Sequence, residues 1–314
     1  MKGENLKQAV KDYALNNTVA ECTELFKGIV SQATIYRWLN ETEELVYSYT
    51  QEECLREWKK LRITPGNYSA APANNRIVLT SQPHFFHIEK QLYKDPLIRE
   101  KLIANRKKYL YKNSFNHREL LRGFKISGLH IGYSHFSPLW IKKFIEDFNI
   151  TSIYDPCGGW GHRLVGATAA NISYTYNDKW KQSYEGAKNI AHLINSSARI
   201  YNNDCTNFTP VEDYTCVFTC PPYYNVELYS DTGFKTIEEY KLFITNLFKC
   251  SIKPSVTTIG IVINNTFKDI IHECIPNNYT FKAEITLGST KSISHFNKSN
   301  STKSELLLVF NKKL

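Results

Sequence analysis

The chain has 314 residues, 42% of them hydrophobic, and carries 39 basic against 30 acidic side chains for a net charge of +9. That hydrophobic share supports a packed core and excludes wholesale disorder. No apolar run reaches the ~18 residues of a membrane span, and the opening Met1-Lys2-Gly3-Glu4-Asn5 lacks the apolar stretch of a secretory signal. The positive excess favours a polyanionic partner, because neutralising phosphates releases condensed counterions.

Eight scattered cysteines form no Cys-x2-Cys pair and no Cys/His ligand spacing, so no structural metal is expected. Reduced, mostly buried thiols and a cytoplasmic setting are the expectation. The Lys-, Asn-, Ile- and Tyr-rich usage fits an AT-rich genome, bacterial or phage.

Residues 1–46 read as a small helical unit. Thr18 is placed as an N-cap, and Val19, Ala20, Cys22, Leu25 and Phe26 recur at helical spacing before Gly28 breaks the run. Ser31 then caps a second helix over 32–40, with Ile35, Trp38 and Leu39 on one face. A helix, a glycine-containing turn and a second helix make a helix-turn-helix arrangement. The stretches Thr18-Val19-Ala20-Glu21 and Ser31 to Leu39 resemble the DNA-binding units of recombinases and transposases. That resemblance implies that Gln32, Ala33, Thr34 and Arg37 lie on the exposed face of a recognition helix. A plain helical hairpin packed on the main domain fits the same pattern.

Residues 47–120 are charged and mixed. Pro65-Gly66-Asn67 and the run from Ala70 to Asn75 read as turns and linker, and 97–111 as a helix carrying the basic cluster Arg106-Lys107-Lys108. A solvated charged face, a phosphate contact and a target-recognition segment are all compatible with this region.

Residues 121–314 alternate apolar runs with helical stretches. Strands are expected over 150–154, 172–176, 198–203, 214–218, 258–263 and 306–310, and helices over 180–193 and 237–252. This alternation predicts a mostly parallel, doubly wound α/β sheet of Rossmann-like type.

Two motifs carry the chemistry. Asp155-Pro156-Cys157-Gly158-Gly159-Trp160-Gly161-His162 directly follows a strand, and glycines at a strand-to-helix turn let backbone approach a ligand closely. Asp178, after the second strand, suits the two hydroxyls of a ribose, and Asp204, after the third, suits an adenine amino group; either acid also serves as an ordinary helix cap. No phosphate-binding G-x-x-x-x-G-K-[ST] occurs. Thr219-Cys220-Pro221-Pro222-Tyr223-Tyr224 follows a later strand. Its prolines stiffen the turn, and Tyr223 offers a ring face for a base rotated out of a duplex.

The second motif resembles the catalytic signature of the DNA amino-methyltransferases, [Asp/Asn/Ser]-Pro-Pro-[Tyr/Phe/Trp]. Asp155 to Gly161 resembles that family's cofactor loop, and Phe136-Ser137-Pro138 its segment over the cofactor's methionine end. The resemblance runs from near Leu121 to the C-terminus. It implies a class I methyltransferase sheet behind a small helical N-terminal domain, S-adenosyl-L-methionine as cofactor, double-stranded DNA as partner, no membrane, and direct transfer to an exocyclic base amine. Nothing in the motifs specifies a restriction endonuclease partner.

Three departures matter. Cys220 stands where the family has Asp, Asn or Ser, and sulfur is a weak acceptor, so amine activation leans on the Pro221 carbonyl or Thr219. Being closest in size to Ser, Cys220 tilts the base towards N4-cytosine over N6-adenine. A cysteine here also raises C5-cytosine chemistry by thiolate attack, although that family places its cysteine after a proline. In the cofactor loop, Cys157 replaces Phe, and Trp160, replacing a small residue, must point away from the ligand or pack over it. A methyltransferase acting on RNA or protein, and an inactive DNA-binding relative, fit the same motifs.

Overall fold

A computed structural model describes residues 3–14, 19–31, 34–35, 38, 49–70, 75–110, 115, 117–129, 136–224, 233–288 and 305–313. Its contacts divide the chain into two compact units, Met1–Cys54 with Pro83–Ser134, and Leu55–Gln82 with His135–Leu314. Among the described residues eight α-helices precede the first strand, the first seven being α1 (Gly3–Ala14), α2 (Val19–Leu25), α3 (Gln51–Ile63), α4 (Arg76–Ser81), α5 (His87–Lys94), α6 (Pro96–Leu110) and α7 (His117–Ile126). None of the described helices is long and apolar enough to cross a membrane.

In the first unit, Leu6 and Val10 of α1 close over Cys22, Phe26 and Ile35, with Tyr13 and Trp38 at the edge. Gly28 ends the α2 segment with φ of 79°, a left-handed conformation that favours glycine. Ser31 acts as the expected cap, its Oγ accepting from the Thr34 amide at 3.2 Å, and Thr34, Ile35 and Trp38 are helical. Thr34 is half-buried and its hydroxyl lies 2.9 Å from that of Ser31. Thr18, Gln32, Ala33 and Arg37 lie outside the described residues.

The basic cluster on α6 needs a correction. Arg106 is only 5% exposed, because it shares a face with Leu102 one turn earlier and its stem runs over Gly123 of α7. A Cβ at Gly123 would lie 2.6 Å from Arg106 Cδ. Lys107 and Lys108 alone face solvent.

The second unit is built on seven strands: β1 (Ser152–Asp155), β2 (Ser173–Asn177), β3 (Arg199–Tyr201), β4 (Cys216–Thr219), β5 (Thr258–Asn264), β6 (Tyr279–Leu287) and β7 (Glu305–Lys312). Their order is β3-β2-β1-β4-β5-β7-β6. The first five pair in parallel, and β7 runs antiparallel between β5 and β6. This is the doubly wound, mostly parallel Rossmann-like α/β sheet that was expected, closed by an antiparallel edge pair. Strand β6 was not foreseen: on the sheet edge most of its side chains are exposed or half-buried, so it shows no buried run.

Helices α8 (Pro138–Asp147), α9 (His162–Ala169), α10 (Lys181–Leu193), α11 (Ile237–Ser251) and α12 (Lys268–Cys274) complete the unit. The last turn of α11 and the start of α10 fall within a residue of the expected bounds. Tyr240, Ile244, Leu247 and Phe248 of α11 and Ile271 of α12 pack with Tyr154, Val217, Ile259, Ile261 and Leu308 into one core. Phe144 of α8 meets Phe218 across the other face, ring centroids 4.7 Å apart.

Residues 55–82 belong to this unit and strap α8. Trp140 Nε1 donates to the Ala70 carbonyl at 2.9 Å. Lys142, 5% exposed, donates from Nζ to the carbonyls of Leu61, Arg62 and Thr64 at 2.9, 3.2 and 2.6 Å. These carbonyls close the end of α3, where a cation is well placed. Lys142→Met should therefore lower the unfolding free energy by about 2–4 kcal/mol, read as an earlier urea midpoint at unchanged slope.

Candidate active site

The carboxyl ends of β1 and β4 are neighbours in the sheet, paired through Ile153↔Cys216 and Tyr154↔Val217. Both motifs leave the sheet at this edge. The chain turns to β2 and β3 on one side of β1 and to β4 and β5 on the other, and such a switch point opens a crevice at the strand ends.

Asp155 closes β1 and is fully buried. Its carboxylate accepts from Arg163 Nε at 2.6 Å and Nη2 at 3.4 Å, from the Tyr174 hydroxyl at 2.5 Å and from the Cys157 amide at 3.3 Å. The guanidinium also donates to the Cys157 carbonyl and stands 5.4 Å from the ring centroid of Phe136. Asp155 thus braces the loop with its acceptor sites already engaged. Burial disfavours the charge on Arg163, but Asp155, with Cys220 and Tyr174, more than offsets it and holds the guanidinium protonated. Arg163 was not singled out from sequence; its placement one residue after His162 in the motif was the available signal.

The glycines are required by close approach and by backbone angle. A Cβ at Gly158 would sit 2.0 Å from the Tyr176 ring. Gly159 and Gly161 have φ of 56° and 88°, and a Cβ at Gly159 would meet only the Cys157 carbonyl, at 4.0 Å, so the space over it is open. Trp160 packs edge-on against Trp180 with centroids 5.6 Å apart, and its carbonyl accepts from Gln82 Nε2 at 3.1 Å. His162 is buried at the start of α9.

Asp178 receives the Gly159 amide on Oδ2 and the Trp180 amide on Oδ1, each at 2.8 Å. Burial pushes its pKa up to about 6 against these stabilising amides. Each carboxylate oxygen retains a free lone pair. Asp204 is more committed: Oδ2 meets Lys179 Nζ at 2.8 Å, and Oδ1 accepts from the amide and hydroxyl of Thr206 at 3.0 and 2.7 Å. Burial raises its pKa, but these partners outweigh it and hold the carboxyl below its ordinary value. Asn177, fully buried, ties the loops together: Nδ2 donates to the carbonyls of Pro156 and Asn203, at 3.2 and 3.0 Å, and Oδ1 accepts from the Asn203 amide at 3.0 Å.

At the end of β4, Thr219 is fully buried and its hydroxyl has no hydrogen-bond partner. Cys220 is half-buried with Sγ 3.5 Å from the Tyr223 hydroxyl. Pro221 is buried and Pro222 half-buried. Tyr223 is 7% exposed, its ring centroid 6.4 Å from that of Phe267, so the open stacking face read from sequence is covered in this conformation. Phe136 and Ser137 are buried, and Phe136 lies 6.2 Å, centroid to centroid, from Phe218 of β4. Charge on Arg163 is felt by Cys220 as well as by Asp155, which links the turn after β4 to the glycine loop.

Removing the guanidinium would strand a buried carboxylate. Arg163→Met should cost about 3–5 kcal/mol of stability, and adding Asp155→Asn should recover part of the loss. Denaturant midpoints of the single and double variants measure both.

No protein-family model matches the chain, and no curated protein matches it. Among solved structures it is similar to TrmN from Thermus thermophilus (10% identity, TM-score 0.40, 56% of this chain and 48% of that one). It is also similar to S-adenosylmethionine-dependent methyltransferases from Clostridium acetobutylicum (9%, 0.39, 55% and 89%) and Agrobacterium tumefaciens (14%, 0.38, 58% and 65%). The chain spans about half the length of the Thermus protein. At these identities and scores substrate and chemistry rest on the residues of the site.

Proposed function

We propose that the chain is an S-adenosylmethionine-dependent methyltransferase acting on an exocyclic amino group of a base in DNA, with N4 of cytosine favoured over N6 of adenine. The observation that supports this best is the placing of Thr219 to Tyr223 beside the glycine loop, on adjacent strand ends. The net charge of +9 and the capped helical unit at the N-terminus suit a duplex partner.

The residues present fit the cofactor. Adenosine would lie over Gly159, where an added Cβ would meet only the Cys157 carbonyl, and Asp178 keeps lone pairs for both ribose hydroxyls. Asp204 has Oδ2 to offer the adenine amine beside Lys179. Phe136 and Ser137 would border the methionine end. Bound there, the cofactor supplies an electrophilic methyl group.

Towards the base, the Pro221 carbonyl and the unpartnered Thr219 hydroxyl accept from the amine and turn its lone pair out of the ring. Cys220 contributes little as an acceptor and is met instead by the Tyr223 hydroxyl. Turning Tyr223 away from Phe267 would free its face for the base, stacking being worth ~1–3 kcal/mol.

Incubation with unmethylated duplex DNA and cofactor, followed by digestion to nucleosides and mass spectrometry, should yield N4-methylcytosine. N6-methyladenine would keep the class and change the base. 5-Methylcytosine would recast Cys220 as a nucleophile, and modification of RNA or protein alone, or no transfer at all, would overturn the DNA reading.

The raised pKa of Asp178 adds a second prediction. Ribose hydroxyls donate, so they favour the ionised carboxylate, and below the folded pKa a proton must first be expelled. Affinity for S-adenosylhomocysteine should therefore be flat above pH of about 6 and fall by up to about tenfold per unit below it. Calorimetric titration with Asp178→Asn should show weaker, pH-independent binding over that window.

A further inference from the structure

We propose that Cys157 and Cys205 are a modification site, a thiol pair that a peroxide converts to a disulfide, and that this bond deforms the nucleoside cradle. The second clause rests on the cofactor reading; the first does not. The two sulfurs lie 3.7 Å apart, Cys157 in the glycine loop after β1 and Cys205 in the turn after β3. Their meeting is built in by Asn177, whose amide holds the carbonyls of Pro156 and Asn203, close in sequence to each cysteine.

Cys157 is the more accessible, half-buried where Cys205 is 7% exposed, so it is the attacking thiol. Its thiolate takes one peroxide oxygen, the O–O bond breaks, and the departing oxygen leaves as water once protonated. Cys205 sulfur then displaces water from the resulting sulfenic acid. Two thiols and one peroxide become one disulfide and two waters, the sulfurs losing two electrons and the peroxide gaining them. The facing Cys205, burial and the nearby Asp178 and Asp155 all keep Cys157 protonated, so the reaction is slow at neutral pH and quickens as the pH rises.

An S–S bond of ~2 Å draws the two sulfurs, now 3.7 Å apart, together by roughly 1.7 Å, shared between rotation of the side chains and movement of the two loops. The Cys157 carbonyl is fastened to Arg163 and its amide to Asp155, so the share that the loop takes up passes to Gly158 and Gly159. A site that tolerates about 0.5 Å of error loses its ligand over such a shift.

The full chain is treated with hydrogen peroxide, blocked with N-ethylmaleimide, digested without reduction and mapped by mass spectrometry, with S-adenosylhomocysteine affinity measured before and after. The expected result is a peptide linking Cys157 to Cys205, an affinity loss of about tenfold or more, and recovery with dithiothreitol. Cys205→Ser should abolish the link and keep its affinity under peroxide; Cys157→Ala is the second variant should the first fold poorly. Sulfinic acid at Cys157 without a link, a link from Cys205 to Cys250 instead, or a link without loss of affinity would overturn the proposal. A reduced wild-type chain that binds no S-adenosylhomocysteine would remove the cofactor reading, while the linked peptide would still establish the modification site.

Discussion

The site depends on the buried pair between Asp155 and Arg163. A carboxylate with no exposure at the end of β1 is tolerable only beside a matched cation, because the desolvation cost falls on whichever partner is left alone. Arg163 repays its own burial through four contacts. It meets both Asp155 oxygens, the Cys157 carbonyl and the face of Phe136. One guanidinium thus touches the loop, the segment before α8 and the electrostatic setting of Cys220.

Around that anchor, Asn177 does for the loops what Arg163 does for the strand end. Its amide joins the turns after β1 and β3, and Asp178 beside it holds the Gly159 amide. The backbone over Gly159 is thereby fixed from two sides while the space above it stays open, which is the preorganisation a ligand cradle needs. The strap over 55–82 extends the same support outward, from Gln82 to the Trp160 carbonyl and from Ala70, Leu61, Arg62 and Thr64 to α8.

The departures from the sequence reading share a cause. Arg106 looked like surface because it sits in a run of like charges, yet helical geometry turns one residue of three inward onto Gly123. Tyr223 looked like an open platform, yet Phe267, from the turn after β5, covers its ring. Thr34 stands on the expected helix, and its hydroxyl lies 2.9 Å from that of Ser31, a local partner the pattern did not announce. In each case the residue type was read correctly and its neighbour was not, since the neighbour lies on another element or is chosen by local capping.

What the sequence by itself determined were features of the backbone. Buried strands announce themselves as apolar runs, Gly158, Gly159 and Gly161 mark a turn only glycine can make, and the prolines after Cys220 stiffen the second turn; each depends on residues adjacent in the chain. The tertiary structure decided the partners. Parallel strands joined by helical crossovers bring side chains far apart in sequence within bonding distance. That proximity gave Asp155 its cation, Asp178 its raised pKa, Cys157 its facing thiol and Thr219 a hydroxyl with nothing yet to bind.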